Sequence, residues 1–215
     1  MSLLPAPRQC LVTLDVEGVL TPEIWLALAD EFGIDDLRRT TQDEPDYGLL
    51  MQGRIETLAA HDIKIDRIHD VIAGLRPLEG AREFLDFLRR EMQVVLLSDT
   101  FEQFIGPLMS QLGQPTILCQ HLDVSDGRIV GFPPRLGNQK RAAVQAFQAM
   151  NYGVISAGDS FNDLHMLDAA HVGFLFKAPE RIKIARSDLQ AFEHYDELID
   201  AILAARHELV GGVPV

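Results

Sequence analysis

Three segments of the chain share one pattern of hydrophobic and polar positions. A short run of β-favouring apolar residues ends in small polar and acidic ones, and a helical periodicity follows. The segments are CLVTLDVEG from Cys10, QVVLLSDTF from Gln93 and YGVISAGDSFND from Tyr152. Nearly continuous apolar strands of this kind belong in a parallel sheet buried on both faces. Helical stretches such as GAREFLDFLRREM and KRAAVQAFQAM lie between them. Strand–helix alternation predicts an α/β fold with a doubly wound parallel sheet. Ligands of such sheets bind beyond the carboxyl ends of the strands, so the three polar endings are expected at one edge.

The stretch from about Leu20 to about Pro77 breaks this pattern. PEIWLALADEFGI is amphipathic, with Pro22 expected in its first turn. PDYGLLMQGRIETLAAHDI and KIDRIHDVIAGL read as further helices, and no strand is evident. The expected division is an α/β core of residues 1–19 and 78–215 carrying a small helical cap, 20–77, inserted after the first strand. Later, SDGRIVGFPP reads as a turn with a short β excursion, and APERIKIA and YDELIDAILAA as closing helices. Trp25, Phe84, Phe87 and Phe147 are expected in the core.

The chain has 215 residues, 47% hydrophobic and 24% charged, enough to bury a sizeable core. A net charge of −13 argues against nucleic acid as a partner, because phosphate backbones require clustered Lys and Arg. Any positive potential must therefore be local. No apolar run is long enough to cross a bilayer, and the N-terminal MSLLPAPRQC lacks the basic and apolar regions of a secretion signal. Cys10 and Cys119 form neither a metal spacing nor a disulfide framework, and the seven histidines are scattered. The expectation is a cytoplasmic protein with no membrane partner.

The polar endings carry the candidate chemistry. Asp15 and Glu17 are two apart, so both point to one side of an extended chain. Gly18 permits a sharp turn or a close approach. Ser98, with Asp99 and Thr100, precedes a helical pattern and suits an N-cap or a donor to an anion. Lys140 opens a helix, where it is poorly placed against the dipole. Asp159 follows a glycine turn at a strand's end and suits a cation. Asn162 and Asp163 lead into a helix, where Asp163 fits a cap. Each alone also has an ordinary reading: an acidic strand end, a cap, a solvated lysine.

Taken in order, an acid pair, a hydroxyl, a lysine and a further acid at the ends of successive elements resemble the haloacid dehalogenase superfamily of phosphotransferases. Its first motif, Asp-x-Asp, is Asp15-Val16-Glu17 here. DVEGVLTPEIW, LSDTFEQF, QLGQPTILC and AGDSFNDLHML are similar to the phosphoserine phosphatase/phosphoserine:homoserine phosphotransferase subgroup, which also carries Glu at the second acid and Ser-Asp-Thr-Phe at the second motif. The likeness runs from about Leu11 to about Ala191.

The resemblance implies a Mg²⁺-dependent enzyme acting on a small phosphorylated amino acid, with water or homoserine as acceptor. Asp15 would become the aspartyl-phosphate, and Glu17 would serve as general acid and base. Asp15, Asp159 and the main-chain carbonyl of Glu17 would hold the metal, with Asp163 supporting them. Ser98, Asp99 and Lys140 would surround the phosphate. Glu23 and Arg54 would meet the substrate ammonium and carboxylate, and Asn162 would touch the substrate or order its loop. Glu17 needs its pKa raised from the usual carboxylate value of about 4.3 to act as an acid at neutral pH. Rival readings are a phosphatase for another small phosphomonoester, an inactive phosphate-binding relative, and a receiver domain. The last is disfavoured by the chain length and the helical insert.

Overall fold

A computed structural model describes residues 7, 9–40, 43, 44 and 46–211. The reading of the N-terminal residues as lacking a secretion signal falls largely outside that range.

In chain order the first elements are β1 (Cys10–Leu14), α1 (Ile24–Phe32), α2 (Tyr47–Ala60), α3 (Ile65–Gly74), α4 (Ala81–Glu91), β2 (Gln93–Phe101) and α5 (Glu102–Gln111). Then follow β3 (Ile117–Gln120), β4 (Asp123–Ser125), β5 (Arg128–Gly131), α6 (Gln139–Ala149), β6 (Gly153–Gly158) and α7 (Leu164–Ala169). The chain closes with β7 (Val172–Phe176), α8 (Glu180–Ala185), β8 (Gln190–Phe192) and α9 (Tyr195–Leu209). Short 3₁₀ turns occupy Asp35–Arg38 and Phe161–Asp163.

The main sheet has the order β3-β2-β1-β6-β7-β8, with every neighbouring pair parallel. The chain winds outward from β1 in both directions, so the doubly wound expectation holds. Leu14 pairs with Leu96 on one side and Ala157 on the other. This register brings the ends of β1 and β6 level with the middle of β2, which runs on past them to Phe101. β1 and β6 are buried along their whole length. Alternate side chains feed two cores. Val12 and Leu14 join Phe84, Leu88, Leu198 and Ile202 on one face, while Leu11, Val154 and Leu175 join Val144, Met166 and Ile182 on the other. The Thr13 and Ser156 hydroxyls, buried between the strands, bond each other at 2.6 Å.

Helices α1, α2 and α3 lie between β1 and α4, and the described residues there add no strand to the main sheet. Ile65, Ile68 and Ile72 form the buried stripe of α3. The predicted β excursion is a two-stranded antiparallel ribbon, β4–β5, turning through Asp126 and Gly127. It leans on the inserted helices: Ile65 N–H donates to the Gly127 carbonyl at 2.8 Å, and Phe132 just beyond it meets the Tyr47 ring edge-on.

Two local expectations and one ordinary reading are corrected. Pro22 lies outside α1, whose cap residue is Glu23. Ser98 is not a helix cap, because β2 continues to Phe101 and α5 begins only at Glu102; pairing of Phe101 with Gln120 of β3 holds the chain extended. Lys140 is not solvated, being 2% exposed. Phe84 lies in the core, Phe87 and Phe147 pack partly buried against it, and Trp25 is buried but also faces the cavity described next.

Candidate active site

The ends of β1 and β6, and the polar stretch of β2 beside them, open into one cavity of about 750 Å³. Asp15, Ser98, Asp99, Lys140 and Asp159 line it from the sheet side, and Glu17, Glu23, Arg54 and Asn162 complete its wall. Asp163 lies behind this surface with no solvent exposure.

Lys140 is the centre of the sheet side. Its ammonium donates to Asp15 Oδ1 at 2.8 Å and to Asp163 Oδ1 at 2.7 Å, and stands 3.8 Å from Asp99 Oδ2. The lysine that opens α6 against its dipole is thus held by buried carboxylates. Burial works against its charge, but Asp15 and Asp163 hold its pKa well above the ordinary lysine value. Asp15 is pushed well above the usual carboxylate range, by burial first and then by the Asp163 charge, because one ammonium cannot neutralise every acid around it. Burial, Asp163 and Glu23 push Asp159 up to about 7.

Two glycines make room for this crowding. Gly18 has φ +80°, and a Cβ there would lie 2.2 Å from Asp159 Oδ2. At Gly158 a Cβ would lie 2.5 Å from Asp163 Cγ. Asp163 is fixed as the third residue of a capping box, accepting from Asp159 N–H, Ser160 N–H and the Ser160 hydroxyl at 3.1, 3.0 and 2.8 Å. The expected N-cap is corrected: Ser160 caps the 3₁₀ turn, Asp163 answers it from the third position of that turn, and its side chain caps nothing at the start of α7.

Asp15, Asp159 and Asp163 can each offer an oxygen within 4.8 Å of the others. Asp163 already has both oxygens engaged, so Asp15 and Asp159 are the freer donors. A crowded, all-oxygen, net anionic donor set fits a hard divalent cation such as Mg²⁺.

Asp99 is a junction. Its carboxylate accepts from Gln139 Nε2 at 3.0 Å and Asn162 Nδ2 at 3.2 Å. Burial raises its pKa, but Lys140 and these amides outweigh that and hold it below the ordinary value. An ionised side chain repels a phosphate, so any phosphate contact falls to its main chain. Through this bond Asn162 links the loop after β6 to β2.

The helical side is built differently. Glu17 Oε1 accepts the N–H of Ile24 at 2.7 Å, at the start of α1. Burial, then the nearby Glu23 charge, pushes Glu17 up to about 7. Glu23 sits at the open side of the wall. Arg54, 8% exposed, stacks on Trp25 at 4.4 Å and donates to the Arg39 carbonyl at 2.7 Å and Met51 Sδ at 3.7 Å. Among the described residues its Nε has no partner. Burial lowers its pKa to about 10, which leaves it charged at neutral pH. Tyr47 and Gln139, which the sequence did not single out, also line the cavity. Ser160 does too, and its capping-box spacing to Asp163 was readable.

The model of the haloacid dehalogenase-like hydrolases matches residues 54–168, over half of the chain. The chain belongs to that family. This hydrolase is 50% identical over 193 residues to phosphoserine phosphatase ThrH of Pseudomonas aeruginosa, covering 89% of this chain and 94% of that protein. It is 47% identical to a phosphoserine phosphatase of Pseudomonas syringae pv. tomato, covering 97% of this chain and 90% of that one. Its fold matches a solved phospho-aspartyl intermediate analogue of phosphoserine phosphatase with TM-score 0.75 at 18% identity, over 90% of this chain and 99% of the other. Among the described residues, no helix is long and apolar enough to cross a membrane.

Proposed function

We propose that this hydrolase is a Mg²⁺-dependent phosphotransferase that hydrolyses O-phosphoserine through an aspartyl-phosphate on Asp15 and transfers the phosphoryl group to homoserine when that acceptor is present. Residues 20–77 act as the substrate-selecting cap on the core of 1–19 and 78–215. A reducing cytoplasm suits its two free cysteines, Cys10 and Cys119. One observation carries the reading: a single cavity holds a buried carboxylate–lysine pair at one end and a buried guanidinium with an unpartnered Nε at the other. A phosphate ester that also bears a carboxylate fits both ends. The names of the two Pseudomonas relatives agree with it.

Asp15 and Asp159, with the main-chain carbonyl of Glu17, would hold Mg²⁺, which supplies the positive charge that lets a carboxylate approach a phosphate. Lys140 takes Oδ1 of Asp15 and leaves Oδ2 as nucleophile. Lys140 and the Ser98 hydroxyl steady the phosphoryl oxygens. Asp15 attacks phosphorus, the bond from phosphorus to the serine oxygen breaks, and that oxygen takes a proton from Glu17. A water or homoserine hydroxyl then gives its proton to Glu17 and attacks phosphorus, releasing Asp15. A Glu17 pKa near 7 lets it hold and return that proton at neutral pH. Glu23 receives the substrate ammonium and Arg54 its carboxylate.

A larger phosphomonoester is the second reading, because the exposed side chains of Leu26, Leu136 and Phe161 line the same cavity. The test is turnover of phosphoserine with Mg²⁺, with and without homoserine, beside a panel of phosphorylated metabolites, scoring free phosphate and phosphohomoserine. Phosphate release from phosphoserine, diverted in part to phosphohomoserine, is expected. Turnover of another ester with none of phosphoserine would replace the substrate assignment.

A further inference from the structure

We infer that Tyr47 is a positioning residue: its hydroxyl ties the helix carrying Arg54 to the strand end carrying Ser98, and so sets the span between the two ends of the cavity. The inference rests on the proposed reading of Arg54 as the carboxylate ligand.

Tyr47 is the first residue of α2, and Arg54 lies seven positions on, two turns along the same face and about 10 Å up the axis. Both line the cavity. The Tyr47 hydroxyl donates to the main-chain carbonyl of Asp99 at 3.2 Å, across 52 residues of sequence. Asp99 follows Ser98 and lies within the register shift that separates the Leu97 and Phe101 pairings of β2 with β3. A carbonyl lifted out of the regular ladder is available to a side chain.

Both ends of this link are stiff. The Asp99 carboxylate is gripped by Gln139 from α6 and by Asn162 from the loop after β6. The Tyr47 ring is held edge-on against Phe132, with centroids 6.2 Å apart. The start of α2 is closed by Asp46, whose side chain accepts the Leu49 N–H at 3.1 Å. The helix therefore acts as a strut, with a hydroxyl on the phosphate end and a guanidinium facing the amino-acid end.

Tyr47→Phe removes the hydroxyl and keeps the ring. In the full-length chain with Mg²⁺, the KM for phosphoserine should rise about fivefold, the share of one hydrogen bond. The KM for p-nitrophenyl phosphate, which has no carboxylate for Arg54, should rise less than twofold. In an Arg54→Ala background, Tyr47→Phe should add less than a further twofold for phosphoserine. Equal rises on both substrates, or a fivefold effect that persists without Arg54, would overturn the inference. Amide exchange tests the tether without substrate: Tyr47→Phe should speed exchange in residues 47–54 and 98–101 together while α4 and α9 stay protected. Unchanged exchange there would also overturn it. A parent enzyme that ignores phosphoserine while the variant shows faster exchange would sink the reading of Arg54 and leave the tether standing.

Discussion

At the sheet end of the cavity, Lys140 is shared between Asp15 and Asp163 at 2.8 and 2.7 Å, and Asp163 is further held by two main-chain N–H groups and a hydroxyl. At the helical end, Arg54 is nearly as buried, yet among the described residues it donates only to a carbonyl and a thioether, with Nε unpartnered. The first end holds its geometry through these contacts but keeps an excess of negative charge, which a bound cation would relieve. The second holds a buried charge whose desolvation is only partly offset, so a ligand carboxylate would gain most there. On the proposed roles, the difference separates a sheet end that holds the nucleophile from a helical end that meets the rest of the substrate, with Glu17, held by α1, between them.

The comparison can be broken first at the nucleophile. Asp15→Asn keeps an oxygen for Lys140 but removes the attacking carboxylate, and phosphoserine turnover should fall on the order of 10⁴-fold or more. Phosphate release and the intact mass of acid-quenched enzyme check this; retained turnover, or a trapped phosphoenzyme, would remove Asp15 from its role.

Lys140→Met tests whether the sheet end is held together by its lysine. Asp15 and Asp163 would face each other unneutralised, and stability in urea should drop by about 3–5 kcal/mol. Mg²⁺ should restore part of the loss by supplying the missing charge. An unchanged midpoint would mean that the carboxylates are held by other means.

Arg54→Met is the mildest change to the fold and the sharpest for selectivity. The KM for phosphoserine should rise about 100-fold, as expected for a lost charged hydrogen-bond pair. The unliganded protein should shift by less than about 1 kcal/mol, since no carboxylate pair is broken. Phosphoserine should raise the melting temperature of the parent and not that of the variant. A large loss of stability in the unliganded variant would erase the distinction between the two ends.

The sheet end was largely legible in the sequence. Asp15, Ser98 and Asp159 stand where apolar strands run out, and parallel winding brings such endings to one edge. Lys140 gave only a weak hint, its awkward place against a helix dipole, and its burial supplies the reason. The helical end was legible only through resemblance. Glu17 meets the Ile24 N–H because the chain reverses at Gly18, which local pattern does not reveal. Tyr47 left no signal, because its partner is a main-chain carbonyl that any residue could provide. Ser98 was misplaced as a helix cap because the extent of β2 is decided by a neighbouring strand rather than by its own residues.

The sheet order has a consequence for behaviour under heat. Asp15 and Asp159 extend from β1 and β6, two fully buried strands at the middle of the sheet. Such strands are the last part of a domain to open, whereas peripheral helices open earlier. On the proposed roles, a warming enzyme would therefore lose both its discrimination among esters and the α1 hold on Glu17 while Asp15 and Asp159 still stand together.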